Sequence, residues 1–349
     1  MLIFALDLGS SKSAFCLFDS QTGVHRHGVC RTDAERIGRL LQRQRPALVV
    51  VEISPLAAMV HDLAHSLGVP VQVADTTQDA WRWRNVKRKT DRDDALKLAR
   101  LAALGQINPV HIPDPLMRQW RALVSYRQTL VRERTALKNR IRQRVLIYAG
   151  QRIRTGKNGW TQATHAQLQT LTQPLDQCSN AELWRGTLAI DLARLDFLAE
   201  RLHEVEQRLD RLGRADARCQ LVQTLPGVGP RVAETLVTTL DRAARFQNRR
   251  QVSAYAGLTP RRYQSGQMDR QGHISKRGSR LLRLMLNQGA WQAVVRDPYF
   301  HAMYERIRRG SKARAKTAIV AVMRHLLVIA WALLRDRQPY QPARQMPAA

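Results

Sequence analysis

Apolar and polar residues alternate along the first hundred positions in short blocks. Residues 2–8, LIFALDL, form an apolar run that stops at Gly9, and AFCLFD follows a Gly/Ser/Lys turn, so the two read as a β-hairpin. Residues 48–53, LVVVEI, have the unbroken apolar character of a buried strand. Leu56 to Leu67 follows a helical period that Gly68 stops, and VPVQVAD reads as a further strand. KTDRDDALKLARL, residues 89–101, opens a helix that closes near Gly105, with Thr90 as N-cap and Asp93 as its reciprocal partner. A strand hairpin followed by strand–helix–strand–helix describes an α/β domain of about a hundred residues.

The pattern changes after Pro113 and Pro115. Leu116, Trp120, Leu123, Leu130, Leu137, Ile141 and Tyr148 recur at a three/four spacing, with Arg127 and Arg134 in the missing steps. Leu188, Leu192, Leu195, Leu202 and Leu209 form a second series, with Ala199 and Glu206 in register. Both predict long helices packed along a seam as a coiled-coil pair. Gly150 to Ser179, rich in Gly, Thr and Gln, reads as loop. From about Cys219 the chain reads as mostly helical, with one irregular basic stretch at 257–280. The expected architecture is therefore α/β plus all-α: an α/β domain over 1–110, a helical coiled-coil region over 111–215 and a C-terminal domain over 216–349.

Charge narrows the partner. The chain carries 57 Lys and Arg against 28 Asp and Glu, a formal net charge of +29, and such a field draws in polyanions, nucleic acid above all. Between Met117 and Lys157 twelve basic residues face a single acid, Glu133, which points to phosphate contact more than to an ordinary solvated face. Cys16, Cys30, Cys178 and Cys219 form no C-x-x-C pair, which argues against a zinc site or disulfide framework and fits a reducing cytoplasm. MLIFALDLGSS lacks the basic start of a signal peptide, and AIVAVMRHLLVIAWALL (318–334) is interrupted by Arg324 and His325. That stretch falls short of a span of ~20 residues and reads as a core helix, so no membrane partner is expected.

Against this basic background the placement of acids is informative. Asp91, Asp93 and Asp94 crowd one helix start, where the partial positive charge of unpaired N–H groups favours carboxylates. With Asp93 assigned to the cap, Asp91 and Asp94 share a helix face with Leu98 and Ala102 and repel each other unless a cation lies between them. Asp7 interrupts LIFALDL and Glu52 interrupts LVVVEI, and a lone ionised carboxylate in a buried strand costs several kcal/mol. Four carboxylates on adjacent elements are the layout of a ribonuclease-H-like nuclease, which holds two Mg²⁺ ions ~4 Å apart for in-line attack on a phosphodiester. FALDLGSSKSAFCLFD is also similar to the first phosphate loop of actin-like sugar kinases. The sequence offers no second Gly-rich phosphate loop and no adenosine loop, and the net charge is foreign to that class.

Asp7, Glu52 and KTDRDDA together resemble the DEDD, RuvC-like domain of insertion-sequence transposases. LPGVGPRVAETL (225–236), FQNRRQVSAYAGLTPRRYQSG (246–266) and ISKRG (274–278) resemble the second domain of the same family, the bridge-RNA-guided, serine-dependent recombinases. The resemblance covers nearly the whole chain in the expected order. One departure is EISP, where the family often follows its Glu with a small residue and Gly. The resemblance implies a DEDD site of Asp7, Glu52, Asp91 and Asp94 on two Mg²⁺ ions. It also implies a serine that attacks a DNA phosphate and stays attached during strand exchange.

Ser265 in YQSG matches that serine best, near Arg261, Arg262, Lys276 and Arg277, with Ser275 in ISKRG as runner-up. The family's pair of small hydroxyl residues is here Gln264-Ser265. Pro226, Gly227 and Gly229 read as the tight turn of a helix-hairpin-helix element, which holds phosphate without reading sequence; an ordinary helix–helix connection is the alternative. The resemblance further implies a structured guide RNA and assembly as a homodimer or homotetramer, with the carboxylates of one subunit facing the serine of another. The expected location is the cytoplasm of a bacterium or archaeon, nucleoid-associated when bound to DNA. Two other classes stay open: a RuvC-type junction nuclease needs the acids and no serine, and a non-catalytic nucleic-acid-binding protein needs neither.

Overall fold

The computed structural model describes residues 1–75, 90–154, 159–265 and 268–342. It divides into two compact units, Met1–Asp114 and Pro115–Ala349. The division expected at residue 215 falls inside the second of these.

In the first unit β1 (Leu2–Asp7), β2 (Lys12–Asp19) and β3 (His25–Arg31) form an antiparallel meander. β4 (Leu48–Glu52) and β5 (Val71–Ala74) continue the sheet parallel to β1, giving the order β3-β2-β1-β4-β5. Helices α1 (Ala34–Gln44) and α2 (Ala57–Ser66) lie on one face, and α3 (Asp91–Ala103) on the other. Alternation divides the strand residues between two cores. Phe4, Leu6, Val49 and Val51 pack with Ile37, Leu41 and Val60, while Ile3, Ala5, Leu48 and Val50 pack with Ala95, Leu98 and Ala99. Covering both faces is why LIFAL and LVVV are apolar without interruption up to the terminal Asp7 and Glu52.

β3 and α1 are not among the elements expected from the apolar pattern. HRHGVCR is polar because it is an edge strand, and its Gly28 is required by the Phe15 ring, which an added Cβ would approach to 2.3 Å. α1 starts at Asp33, whose carboxylate accepts from the Arg36 N–H at 2.7 Å.

The second unit begins with α4 (Pro115–Ala149) and α6 (Leu183–Ala215), which run antiparallel and share a core of Leu130, Leu137, Ile141, Leu188, Leu195 and Leu202. Arg127 donates to Glu206 at 2.8 Å across the seam, and Arg140 and Arg144 both close on the buried Asp191. The expected phase of α4 is wrong at its ends. Leu116 is 83 % exposed and Tyr148 is also exposed, while Met117, Val124 and Val145 face inward; likewise Leu198 rather than Ala199 fills the seam on α6. A period of 3.6 drifts from a fixed three/four count over so many turns. The expected loop at 150–179 contains α5 (Gln162–Thr170), whose Leu168 joins the seam; residues 155–158 of that stretch lie outside the described ones.

The remaining helices are α7 (Ala217–Val222), α8 (Pro230–Leu240), α9 (Arg249–Tyr255), α10 (Arg280–Arg296), α11 (Pro298–Arg308) and α12 (Ala315–Asp336). They gather around α12, and Met117, Trp120 and Val124 of α4 belong to the same core. The basic stretch expected to be irregular is instead a two-stranded ribbon, β6 (Pro260–Ser265) and β7 (Met268–Ile274). α12 is long and apolar enough to cross a membrane, but half of its apolar window is buried in this helical core.

Candidate functional site

β1 and β4 are parallel neighbours in the register Leu6↔Val51, and each ends one residue later on an acid, Asp7 and Glu52. Side chains alternate along a strand, so Asp7 follows Ile3 and Ala5, and Glu52 follows Leu48 and Val50, on the face that α3 covers. The two carboxylates therefore stand at adjacent strand ends, on one face, with strands ~4.8 Å apart. α3 contacts β1, β2 and β4 through its buried side. Asp94, 6 % exposed, lies on that side with Leu98 and Ala102, while Asp91 and Asp93 are exposed. Asp93 serves the cap: its N–H donates to Thr90 Oγ1 at 3.3 Å and the Thr90 hydroxyl donates back to Asp93 Oδ2 at 2.6 Å.

Three of the four expected acids thus share one face of the sheet, and Asp91 sits one turn before Asp94 in solvent. They are not drawn to a common centre. Among the described residues no three His, Cys, Asp or Glu side chains are gathered closely enough to hold a metal ion. The donor set is nevertheless all carboxylate oxygen, the chemistry that a hard divalent cation takes. Burial pushes the nearby Cys16 thiol up to about 11, so it packs as a neutral group and offers no thiolate. His27, directly opposite Cys16 on β3, was passed over in the sequence. Burial and then His25 and Arg92 hold its imidazole below the ordinary range, so it adds no cation to the acid edge.

The second cluster lies on the ribbon, where every residue of β6 is exposed. Register puts Ser265 opposite Met268 and Tyr263 opposite Arg270, so Arg261, Tyr263, Ser265 and Arg270 occupy one face. Arg262 and Asp269 occupy the other, joined by hydrogen bonds of 2.8 and 2.6 Å, and Arg262 holds the Asp269 carboxyl below the usual range. Arg270 is the basic neighbour of Ser265 that sequence reading missed; strand alternation would have revealed it once the pairing was known. Gly266, which ends the YQSG motif, lies outside the described residues.

Ser275 is half-buried at the ribbon's base, its N–H donating to Thr259 O at 2.8 Å. Lys276 adopts φ 55° and donates its N–H to Gly257 O. This loop is locked by close approach: a Cβ on Gly257 would fall 2.0 Å from Arg277 O, and one on Gly278 2.0 Å from Tyr255 O.

The Gly-rich turn joins α7 to α8. Gly227 has φ +79° and lies on the backbone of α10, where a Cβ would meet Gly289 O at 2.3 Å. Gly229 N-caps α8 with open space in front of it and lines a cleft of ≈ 570 Å³ with Gln223, Gln292 and Arg296.

Two family models match in the order of these clusters. Residues 4–149 match a model described as Transposase, of the DEDD type, and residues 219–305 match one described as Transposase IS116/IS110/IS902 family. The transposase for insertion sequence element IS1111A of Coxiella burnetii is 30 % identical over 265 residues, 72 % of this chain and 68 % of its own length. A probable family 20 transposase of Pseudomonas aeruginosa is 29 % identical over 328 residues, 91 % of this chain and 93 % of its own. The pilin gene-inverting protein of Moraxella lacunata is 26 % identical over 260 residues, 73 % of this chain and 69 % of its own. The solved Thermus thermophilus RuvC structure covers 32 % of this chain at 18 % identity with a TM-score of 0.25, too low to establish a common fold.

Proposed function

Because this chain belongs to the IS116/IS110/IS902 family of DEDD transposases, enzymes of DNA strand transfer, we propose that it is a site-specific recombinase joining an acid site in its first unit to a serine nucleophile in its second. The observation that carries the reading is the placement of Asp7 and Glu52 at neighbouring parallel strand ends beneath the helix that bears Asp94. An antiparallel meander continued by parallel strands, with helices on both faces, supports the ribonuclease-H-like assignment.

In this proposal Asp7, Glu52 and Asp94, with Asp91 from the first turn of α3, would hold divalent cations, Mg²⁺ by the chemistry of the donors. When bound, the cations supply Lewis-acid stabilisation of charge on the phosphate oxygens. The sheet keeps Asp7 and Glu52 in fixed register, and the α3 N-terminus brings the remaining carboxylates toward that edge.

The Ser265 Oγ attacks the scissile phosphorus and releases a 3′ or 5′ oxygen. The reverse attack by another strand's hydroxyl frees the serine, so the number of phosphodiester bonds is conserved. Arg261 and Arg270 share the serine's face and neutralise the phosphate; Lys276 and Arg277 at the ribbon's base, and the open turn at Gly229 with Gly227 behind it, hold backbone phosphates further along. Arg262 acts mainly on the ribbon, through Asp269.

A structured guide RNA lies on the basic outer face of α4, and chains assemble as dimers and tetramers in the cytoplasm, on the nucleoid when DNA is bound. The excess of Lys and Arg between Met117 and Lys157, apart from Arg127, Arg140 and Arg144, which pair with acids of α6, supports the RNA part.

The test is a covalent one. Denaturing the protein during strand exchange and mapping the adduct by mass spectrometry places DNA on Ser265, and Ser265→Ala yields none. An adduct on Ser275 would move the nucleophile, and full cleavage by Ser265→Ala would leave a RuvC-type nuclease with no serine intermediate.

A further inference from the structure

The helical unit holds a groove of ≈ 1690 Å³ between the base of the ribbon and the outer side of α12. Its floor is apolar, with Met303, Val320, Val328 and Ile329. Its rim is basic, with Arg249, Arg250, Lys276, Lys316 and Arg324. The one acid among its described lining residues, Asp336, is tied to Arg335 at 2.7 Å.

Within the groove Tyr299 is 39 % exposed, and its hydroxyl lies 2.7 Å from His325 Nε2. Burial holds His325 below its ordinary range, and the hydrogen bond between its ring and the phenol fixes the Tyr299 ring. A basic rim over an apolar floor with a fixed aromatic face is what an unpaired nucleic-acid strand requires. Phosphates meet the cations and a base stacks on the ring, whereas a duplex keeps its base faces hidden. The same arrangement accounts for α12, apolar enough to cross a membrane yet only half buried in the core: the rest of its apolar surface belongs to the groove.

We propose that this groove seats an unpaired segment of the DNA strand undergoing exchange, with one base stacked on Tyr299. The proposal rests on the reading that the ribbon engages DNA, because Pro260, Gly272, His273 and Ile274, at the base of the ribbon whose far end carries Ser265, line the groove.

The test is equilibrium binding of a fluorescein-labelled oligothymidine to the full chain, which involves no chemistry. Tyr299→Ala should weaken it by about tenfold, the loss of one stacked base, and leave a short duplex within about twofold. Tyr299→Phe should stay within about twofold of the parent, since the ring remains. Replacing Lys316 and Arg324 together by Gln should flatten the salt dependence by about 1.4 in log–log slope. The proposal falls if Tyr299→Ala binds oligothymidine as the parent does, if Tyr299→Phe loses as much as Tyr299→Ala, or if oligouridine RNA displaces the DNA from the parent but not from Tyr299→Ala. Should Tyr299→Ala melt early, Tyr299→Leu, which keeps the volume and loses the aromatic face, takes its place with the same expectation. Any of these failures leaves the Ser265 adduct experiment untouched, and an absent adduct with the binding results intact would overturn the serine and not the groove.

Discussion

The two units present their chemistry in opposite ways. Asp7 and Glu52 end strands whose interiors are wholly buried between helices, so sheet register fixes where each carboxylate begins. Ser265 ends a strand exposed along its whole length, in a ribbon of two strands that has no core of its own. A lone two-stranded ribbon is marginally stable in water, and this one is anchored at its base through Gly257, Ser275 and Gly278. The contrast separates two tasks. A site that holds several like charges needs a rigid frame to oppose their repulsion; the proposed nucleophile, which must reach DNA strands in turn, needs an exposed support. Neither unit contains the other's group, so the proposed reaction needs both.

The sharpest way to break this contrast is to remove one acid. Asp7→Asn should lower strand cleavage by about a thousandfold, several kcal/mol of charge stabilisation at 1.36 kcal/mol per decade, while DNA binding changes by less than about twofold. Asp94→Asn should behave alike, because both acids serve the same edge. Cleavage at the parent rate in a gel assay with either variant would mean that the frame carries no catalytic charge.

The next effect is on the frame itself. Leu98 is fully buried one turn beyond Asp94, and Leu98→Ala should cost about 3 kcal/mol of stability through the cavity it leaves. Tyr263→Ala on the exposed face of β6 should leave the thermal midpoint of unfolding unchanged. Equal losses in a calorimetric melt would show that the ribbon is as deeply integrated as the sheet.

The same contrast explains what could be read from the sequence. The rigid half was legible because burial on two faces writes itself as apolar runs, against which Asp7 and Glu52 stand out. Thr90 and Asp93 could be assigned to the cap because capping is local. β3 escaped notice because an edge strand has polar composition, and the ribbon because Pro260–Ser265 buries nothing and leaves no alternation to detect. The long seam was legible, but its phase was lost at Leu116 and Tyr148, where a counted spacing drifts from the helix. Which arginine accompanies Ser265 depends on strand pairing, a non-local fact: Arg262 is turned to Asp269, and Arg270 takes the place beside the serine's face.

The last expected effect, at most comparable to that of Leu98→Ala, concerns acids that the helical unit uses for structure. Glu234 on α8 is 1 % exposed, receives Arg231 at 3.0 Å, and shares that guanidinium with Asp210 of α6. Burial pushes its carboxyl up to about 7 against the pull of Arg231. In the unfolded chain it titrates near 4.5. Between those values the folded form keeps a proton that the unfolded form has released, so stability is greatest at low pH and falls as pH rises toward 7. The whole span corresponds to up to about 3 kcal/mol. Asp191 works in the opposite sense: burial raises it, but hydrogen bonds from Arg140 and Arg144 outweigh burial and hold it low, so its contribution is lost on acidification. Glu234→Gln should therefore remove the alkaline fall alone, bringing the melting temperatures at about pH 5 and about pH 8 closer together while the acid limb from Asp191 remains. If the variant keeps the parent's full pH profile, the buried carboxyl is not what makes the helical unit pH-sensitive.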